Sequence, residues 1–116
     1  MAKYEITIKA DFWDCISNIE ALMAEKSQTI SCEEESDFTI GGVRVRVATY
    51  ERYSWLGKNR VSMNLTFAGA DGEVRLVATT SGGSQAMFWK VNTWGEENFM
   101  DTLVAAVNEY RRLRGI

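Results

Sequence analysis

The chain contains no histidine, no proline and only two cysteines among its 116 residues. Without histidine no Ser-His or Cys-His dyad can form, and the side chain that most often acts as a base near neutral pH is missing. Cys15 and Cys32 lack the C-x-x-C spacing of a zinc site and give no disulfide framework, so we expect both to be small buried apolar residues. The sequence therefore predicts a protein that is not an enzyme and holds no metal and no cofactor.

Long hydrophobic runs are also missing, and no segment is apolar enough to span a bilayer. The first residues follow a strand pattern rather than that of an apolar leader, which together with the unpaired cysteines predicts a cytoplasmic protein without membrane contact. The 13 basic and 16 acidic side chains give a net charge of -3, which argues against a general nucleic-acid binder. The length predicts that residues 1–116 form one domain.

Two helices are indicated by apolar residues at helical spacing. Asp11 is placed as the N-cap of a first helix, whose apolar stripe covers residues 12–25. Thr93 and Glu96 have the spacing of a capping box, which predicts that the last helix begins there. The inner face of that helix is predicted to carry Phe99, Leu103, Ala106, Val107 and Tyr110.

The remaining segments alternate between apolar and polar residues, as half-buried strands do. One strand is predicted over residues 3–9, a short one over residues 29–35 and a longer one over residues 43–53. Strands on either side of Asp71-Gly72, a strong signal for a tight hairpin, follow after a predicted turn at residues 56–59. A glycine pair at residues 82–83 is expected to be a turn or a bulge, with another strand around residues 87–91.

This order predicts an α+β fold, β-α-β(4–5)-α, with a curved antiparallel sheet and both helices packed on one of its faces. The order and length are similar to the TATA-binding-protein-like or helix-grip architecture, of which the START and Bet v 1 proteins are larger members. That resemblance is one of topology and implies no function.

At the level of residues, the chain resembles a family of small bacterial proteins that form a domain of unknown function. One matching segment covers residues 50–54 and 59–62, and a second covers residues 80–86, 90–93 and 95–97. The resemblance extends over essentially the whole chain. It implies no activity and no assigned site residues.

The first candidate for a binding surface is a group of arginines on the predicted strands. If Val43, Val45 and Val47 face the core, alternation places one tyrosine and five arginines on the open face of the sheet. This predicted basic face consists of Arg44, Arg46, Tyr50, Arg52, Arg60 and Arg75. Arginine binds phosphate and carboxylate groups in bidentate fashion. Three interpretations stay open, namely a solvated face with cross-strand ion pairs, a site for an anion or nucleic acid, and a symmetric homodimer contact.

Strict alternation also turns one carboxylate, that of Glu51, toward the core. A bulge after Val47 would rotate this side chain outward, and we favour that interpretation over a buried functional acid.

The second candidate is a small hydrophobic pocket between the sheet and the last helix. Aromatic and amide side chains are concentrated where that helix is predicted to begin, and the proposed lining consists of Gln85, Phe88, Trp89, Asn92, Trp94 and Tyr110. Small-molecule sites are typically apolar with a few polar groups. The alternative is that the aromatic rings simply fill the core.

We therefore predict a non-enzymatic binding or interaction module. The favoured ligand is a small apolar molecule held between the sheet and the C-terminal helix. The alternative is contact with an anion, a nucleic acid or a second copy of the chain through the predicted basic face.

Overall fold

The computed structural model describes the backbone of residues 1–54, 59–82 and 89–116, and within these the side chains of residues 1–53, 60–82 and 99–116. In chain order, the elements are β1 (Lys3–Lys9), α1 (Phe12–Lys26), β2 (Ile30–Ile40), β3 (Val43–Ser54), β4 (Asn59–Ala70), β5 (Glu73–Gly82) and α2 (Trp89–Arg114). The predicted α+β fold is confirmed. It consists of a five-stranded antiparallel sheet and two helices.

The strands lie in the order β1-β5-β4-β3-β2, and every neighbouring pair is antiparallel. The sheet is open, with β1 and β2 at its edges. Alternate residues of β4 and β5 are buried on one face, where they form a single core with the buried residues of α1 and α2. We call this the helix-bearing face and its opposite the open face. The prediction that both helices pack on one face is confirmed.

Helix α1 forms where its sequence pattern predicts it. Asp11 is the N-cap, and its carboxylate accepts a hydrogen bond of 3.1 Å from the backbone N–H of Asp14. This satisfies one of the amide groups that a helix start leaves without a partner. The stripe from Phe12 to Met23 is buried against the sheet, apart from the partly buried Leu22.

Two hairpins have backbone geometry that glycine makes possible. Asp71 and Gly72 have φ values of 53° and 77°, as the two central residues of a type I′ turn require. Gly41 has a φ of 58° and, with Gly42, joins β2 to β3. Strand β2 is therefore longer than predicted, because it continues past residue 35 to this turn.

The start of α2 differs from the prediction. The described helix starts at Trp89, so Thr93 and Glu96 lie inside it and the predicted capping box is wrong. The strand predicted around residues 87–91 is wrong at residues 89–91, which are helical, and residues 87 and 88 lie outside the described residues. A short apolar run has no periodicity that separates a buried strand from a helix, and the helical pattern of the following residues extends backward here. The predicted turn at residues 56–59 lies outside the described residues except for Asn59, where β4 begins.

The faces of β3 are also opposite to the prediction. Arg46, Ala48 and Tyr50 are buried, and they lie across from Phe67, Leu65 and Met63 of β4 in the core. The alternating valines 43, 45 and 47 therefore lie on the open face. Alternation shows that two faces differ but does not say which one is covered, and here a helix carboxylate that pairs with Arg46 decides it.

Candidate functional site

The predicted basic face does not exist as one surface. Pairing across β3 and β4 places Arg44, Arg46 and Arg52, with Tyr50, on the helix-bearing face. Arg60 and Arg75 lie on the open face, because their neighbours Val61 and Val74 are in the core. The prediction of one shared basic face is wrong because the two strands alternate in opposite ways. In β3 the arginines are on the helix-bearing face, whereas in β4 the apolar residues are on that face.

Arg46 is the buried centre of an ion-pair network between α1 and the β2–β3 hairpin, whose β2 members are exposed. Its Nε and one Nη lie 2.7 and 2.9 Å from the two carboxylate oxygens of Glu20 in α1. The other contacts go to β2, to Glu35 at 3.0 Å and Asp37 at 3.1 Å. The side chains of Arg46 and Glu20 are only 9% and 12% exposed. These hydrogen bonds, led by that of Glu20, raise the pKa of Arg46 further above its usual value.

Tyr50 completes this network and is fixed by it. Its hydroxyl donates a hydrogen bond to Glu20. Burial and then this contact with a carboxylate raise the pKa of the Tyr50 phenol far above its usual value, so the group stays protonated. Tyr50 is therefore not on the open face, where the predicted basic face placed it. It is a structural donor inside the core.

Arg52 lies further along β3 and differs from Arg46 in its environment. Its Nη1 is buried and has no hydrogen-bond partner among the described residues. It lies across from Ile30 of β2 and Val61 of β4, and Val61 in turn lies across from Gly82 of β5. A buried donor without an acceptor is rare, and it usually marks a place where water, an ion or a ligand belongs.

Arg44 lies at the other end of β3 and is exposed. It borders a cleft of about 290 Å³ and has no ion-pair partner within the part of the chain that the structure describes. The same cleft is lined by the acidic side chains of Asp11, Asp71 and Glu73. Because these carboxylates outnumber the single guanidinium, the cleft is a poor site for an anion.

The two arginines on the open face are engaged with acids. Arg60 lies 3.0 Å from Glu51, and Arg75 lies 3.2 Å from Glu5. Glu51 is therefore on the open face, as the sequence interpretation favoured, but for a different reason. Along the described length of these strands there is no bulge after Val47, and the register shift between β2 and β3 lies in β2, between Cys32 and Glu34.

The predicted pocket falls largely on residues that are not described. Gln85 and Phe88 lie outside the described residues, and Trp89, Asn92 and Trp94 are in the first part of α2, where the backbone alone is described. Tyr110 is described and is buried in the core. Its hydroxyl donates its one hydrogen to Asp14 at 2.6 Å, so Tyr110 has no donor left for a ligand.

The described cysteines and acids are the other side chains that could react or bind a metal. Burial raises the pKa of the Cys15 thiol to about 12, which makes it inert. Cys32 is exposed rather than buried, so the prediction for this residue is wrong. Among the described residues, no three acids or cysteines are grouped as a metal site would require. Within the same residues, neither helix combines the length and apolar character that crossing a membrane requires.

Sequence reasoning missed Glu20, the most important partner of the arginines. A signal was present, because Glu20 follows Ile16 by four positions and precedes Met23 by three. It therefore stands on the buried stripe of α1 rather than on its wet face. An acid inside an apolar stripe predicts a buried cation opposite it.

Among solved structures, two that are similar to this chain match it at low sequence identity. One is the crystal structure of TTHA0849 from Thermus thermophilus, with 10% identity and a TM-score of 0.43 over 99% of both chains. The other is the di-domain ARO/CYC StfQ from the steffimycin biosynthetic pathway, with 9% identity and a TM-score of 0.48. That alignment covers 98% of this chain and 46% of StfQ.

Comparison with curated protein sequences gives no match. A family model, however, aligns with nearly the whole chain, from residue 1 to residue 111, and its description is a family of unknown function, DUF6054. The protein belongs to this family of unknown function.

Proposed function

We propose that this protein is a non-enzymatic binding module for a small, largely apolar molecule that carries one anionic group. The ligand lies on the helix-bearing face, between the sheet and the first part of α2, and Arg52 binds its anionic group. The observation that carries the proposal is the buried Nη1 of Arg52, which has no hydrogen-bond partner among the described residues.

The contrast with Arg46 supports an anionic partner for Arg52. The two residues lie on the same strand and on the same face, six positions apart. Arg46 is saturated by three carboxylates, whereas the described residues provide none for the buried Nη1 of Arg52. A guanidinium stays charged at every physiological pH, and a carboxylate or phosphate matches its fork of donors. A ligand with such a group would satisfy this atom.

The apolar part of the ligand is suggested by where the chain goes next. Arg52, Val61 and Gly82 form one row across three adjacent strands, so Gly82 is only two strand spacings, about 10 Å, from Arg52. Helix α2 begins seven residues after Gly82. Its first part, which contains Trp89 and Trp94, is therefore joined by a short length of chain to Gly82, the residue in the same row as Arg52. Aromatic side chains with a few polar groups are the usual lining of small-molecule sites.

The absence of catalysis is part of this proposal. The acids with buried or fixed positions have structural partners, Glu20 with Arg46 and Asp14 with Arg114. The buried Cys15 stays a thiol. The chain has no histidine to move a proton near neutral pH. We also propose a cytoplasmic location, which the two free cysteines support.

Ligand titration tests the proposal, with decanoate as the anionic probe and decanol as its neutral counterpart. Decanoate is expected to change the tryptophan fluorescence saturably and to raise the melting temperature, and decanol to bind at least about tenfold more weakly. Native mass spectrometry of the gently purified protein provides an independent check, because a retained natural ligand appears as added mass.

The matched pair of variants is Arg52→Met and Arg44→Met. Both remove one positive charge from the helix-bearing side of β3, but Arg44 is exposed and lies at the other end of the strand. Arg52→Met should lose decanoate binding while Arg44→Met keeps it. Equal binding of decanoate by the two variants, or no saturable response of the wild-type protein to either probe, would overturn the proposal.

A further inference from the structure

The open face of the sheet carries an apolar corner next to the β2–β3 hairpin. Register assigns its members to one face, since Phe38 lies across from Val45, and Val45 lies across from Ala68. We call this group the open-face patch, and it consists of Phe38, Ile40, Val43, Val45, Val47, Ala68 and Ala70.

The patch is accessible to solvent in the isolated chain. Ile40 is 69% exposed, Phe38 44% and Val43 39%. Both helices lie on the opposite side of the sheet, so neither covers it. Single exposed apolar residues are normal, but a contiguous group of this kind usually marks a contact with another molecule.

The sizes of the side chains change in a regular way across the patch. The edge strand β2 provides the large residues Phe38 and Ile40, the middle strand β3 provides valines, and β4 provides Ala68 and Ala70. A surface that slopes from large to small side chains is not complementary to a flat partner. It is complementary to itself after a rotation of 180°, because large residues then face small ones.

We propose that the open-face patch is the contact of a symmetric homodimer, with its twofold axis parallel to the strands and passing over β3. In this arrangement the β2 strand of each copy lies over the β4 strand of the other. Phe38 packs on the partner's Ala68, and Val45 meets the partner's Val45 at the axis. Two sheets packed in this way lie about 10 Å apart, with their strands about 30° from parallel.

Charges on the open face fix the position of the axis. The patch itself has no charged side chain, whereas β5 and β1 carry Arg75, Glu73 and Lys9. An axis over β3 leaves these strands outside the overlap and in water. An axis over β4 would instead place Val45 over the partner's Arg75, which would bury a charge against an apolar side chain.

The edge of β2 is a less suitable contact for a second copy. Glu35 is the central residue of this strand, Ile30–Ile40. Antiparallel pairing of two full β2 strands would therefore place Glu35 across from the partner's Glu35, and Glu33 across from the partner's Asp37. Like charges on an edge strand are a common means of preventing such pairing.

The expected area makes this a weak dimer. The patch covers three strands about 4.8 Å apart over about five residues of 3.4 Å each, which is roughly 250 Å² per subunit. The neighbouring open-face residues of the same strands, which include the ion pair of Glu51 and Arg60, extend the overlap to roughly 500 Å² per subunit. This is at the low end for specific interfaces. We therefore expect dissociation in the micromolar range or above, so the mass should depend on protein concentration.

Sedimentation over a concentration series, from about 5 to 500 μM, tests the dimer. A reducing agent is needed because the exposed Cys32 could link two copies covalently. The mass should rise from that of the 13.1 kDa chain toward twice that value. Val45→Lys should stay monomeric. Val77→Lys adds the same charge on the open face of β5, outside the overlap, and should dimerise like the wild type.

A size exchange tests the geometry itself. Ala68→Phe should place a ring against the partner's Phe38 and abolish the dimer, and adding Phe38→Ala should restore it. Circular dichroism establishes that each variant is folded. A wild-type protein that stays at 13.1 kDa throughout overturns the proposal. So does a folded Ala68→Phe that dimerises fully, or a folded double variant that does not recover.

Discussion

The hydroxyl of Tyr110, near the end of α2, donates a hydrogen bond of 2.6 Å to the carboxylate of Asp14, in the first turn of α1. The same carboxylate binds Arg114 through two contacts of 2.9 Å. Asp14 therefore joins the two helices, and its negative charge also lies where the dipole of α1 favours it.

This contact predicts a defined pH dependence. Hydrogen bonds from Arg114 and then Tyr110 lower the pKa of Asp14 from its usual 3.8 to about 2. Because the folded pKa is below the unfolded one, the carboxylate stabilises the protein above about pH 4 and loses this effect as the pH falls through about 2. Urea unfolding should show Asp14→Asn less stable than wild type at pH 7, by about 1 kcal/mol at most since the pair is partly exposed.

The difference between the two proteins should then shrink as the pH falls from 4 toward 2. A difference that stays constant over this range would show that the Asp14→Asn substitution perturbs packing rather than charge. High salt at pH 7 should also reduce it, because the Arg114 side chain is solvent-exposed.

The buried pair of Arg46 and Glu20 predicts a large effect for a small change at Glu20. Glu20→Gln keeps the shape of the side chain but removes the charge that Arg46 binds, and we expect a loss of about 3 kcal/mol in the free energy of unfolding. Glu25→Gln makes the same change on an exposed position of α1 and should alter stability by no more than about 0.5 kcal/mol. Chemical denaturation measures both, and equal effects would contradict the network's role.

Gly69 allows α1 to approach the sheet. A Cβ atom at this position would lie 2.4 Å from Cδ1 of the Phe12 ring. Gly69→Ala should therefore destabilise the protein by about 2 kcal/mol, as overpacking of a core does. Gly42→Ala is the control, since its Cβ would meet nothing within 4 Å. Thermal unfolding measures both variants, and combining Gly69→Ala with Phe12→Leu should recover part of the loss.

Arg52 predicts an effect of opposite sign. In ligand-free protein, Arg52→Met removes a buried donor that has no acceptor among the described residues, so we expect unfolding to cost about 1 kcal/mol more. Arg44→Met, at an exposed position, should change little. A destabilised Arg52→Met would indicate that the guanidinium already has a partner in the ligand-free fold. Urea denaturation of delipidated protein is the measurement.

Local patterns predicted the elements well where the signal is itself local. The cap at Asp11, the stripe of α1 and the turn at Asp71-Gly72 depend on residues close together in the chain, and all three are confirmed. The orientation of β3 depends on a residue of α1, Glu20, that precedes Arg46 by 26 positions. Alternation alone contains no information on that pairing, so it predicts the wrong face for the valines of β3.

The candidate site likewise depends on pairings between residues that are distant in the chain. The arginines are the unusual feature of this sequence, but the role of each one depends on which acids the fold brings next to it. Arg46, Arg60 and Arg75 each pair with a carboxylate. Arg52 differs from them by its buried Nη1 without a partner among the described residues, and this difference is visible only when its neighbours across the sheet are known. The pocket that the aromatic residues near Trp89 are proposed to line remains a prediction from the sequence.

The outermost strand, β2, is exposed along nearly all of its length. It owes its place to the backbone ladder with β3 and to the contacts of Arg46 with Glu35 and Asp37, rather than to apolar burial. Such an attachment weakens as ionic strength rises, while the core beneath the helices does not. The amide protons of β2 should therefore exchange with solvent long before those of β4 and β5. We therefore expect the β2 edge of the sheet to open locally while the strands beneath the helices stay paired.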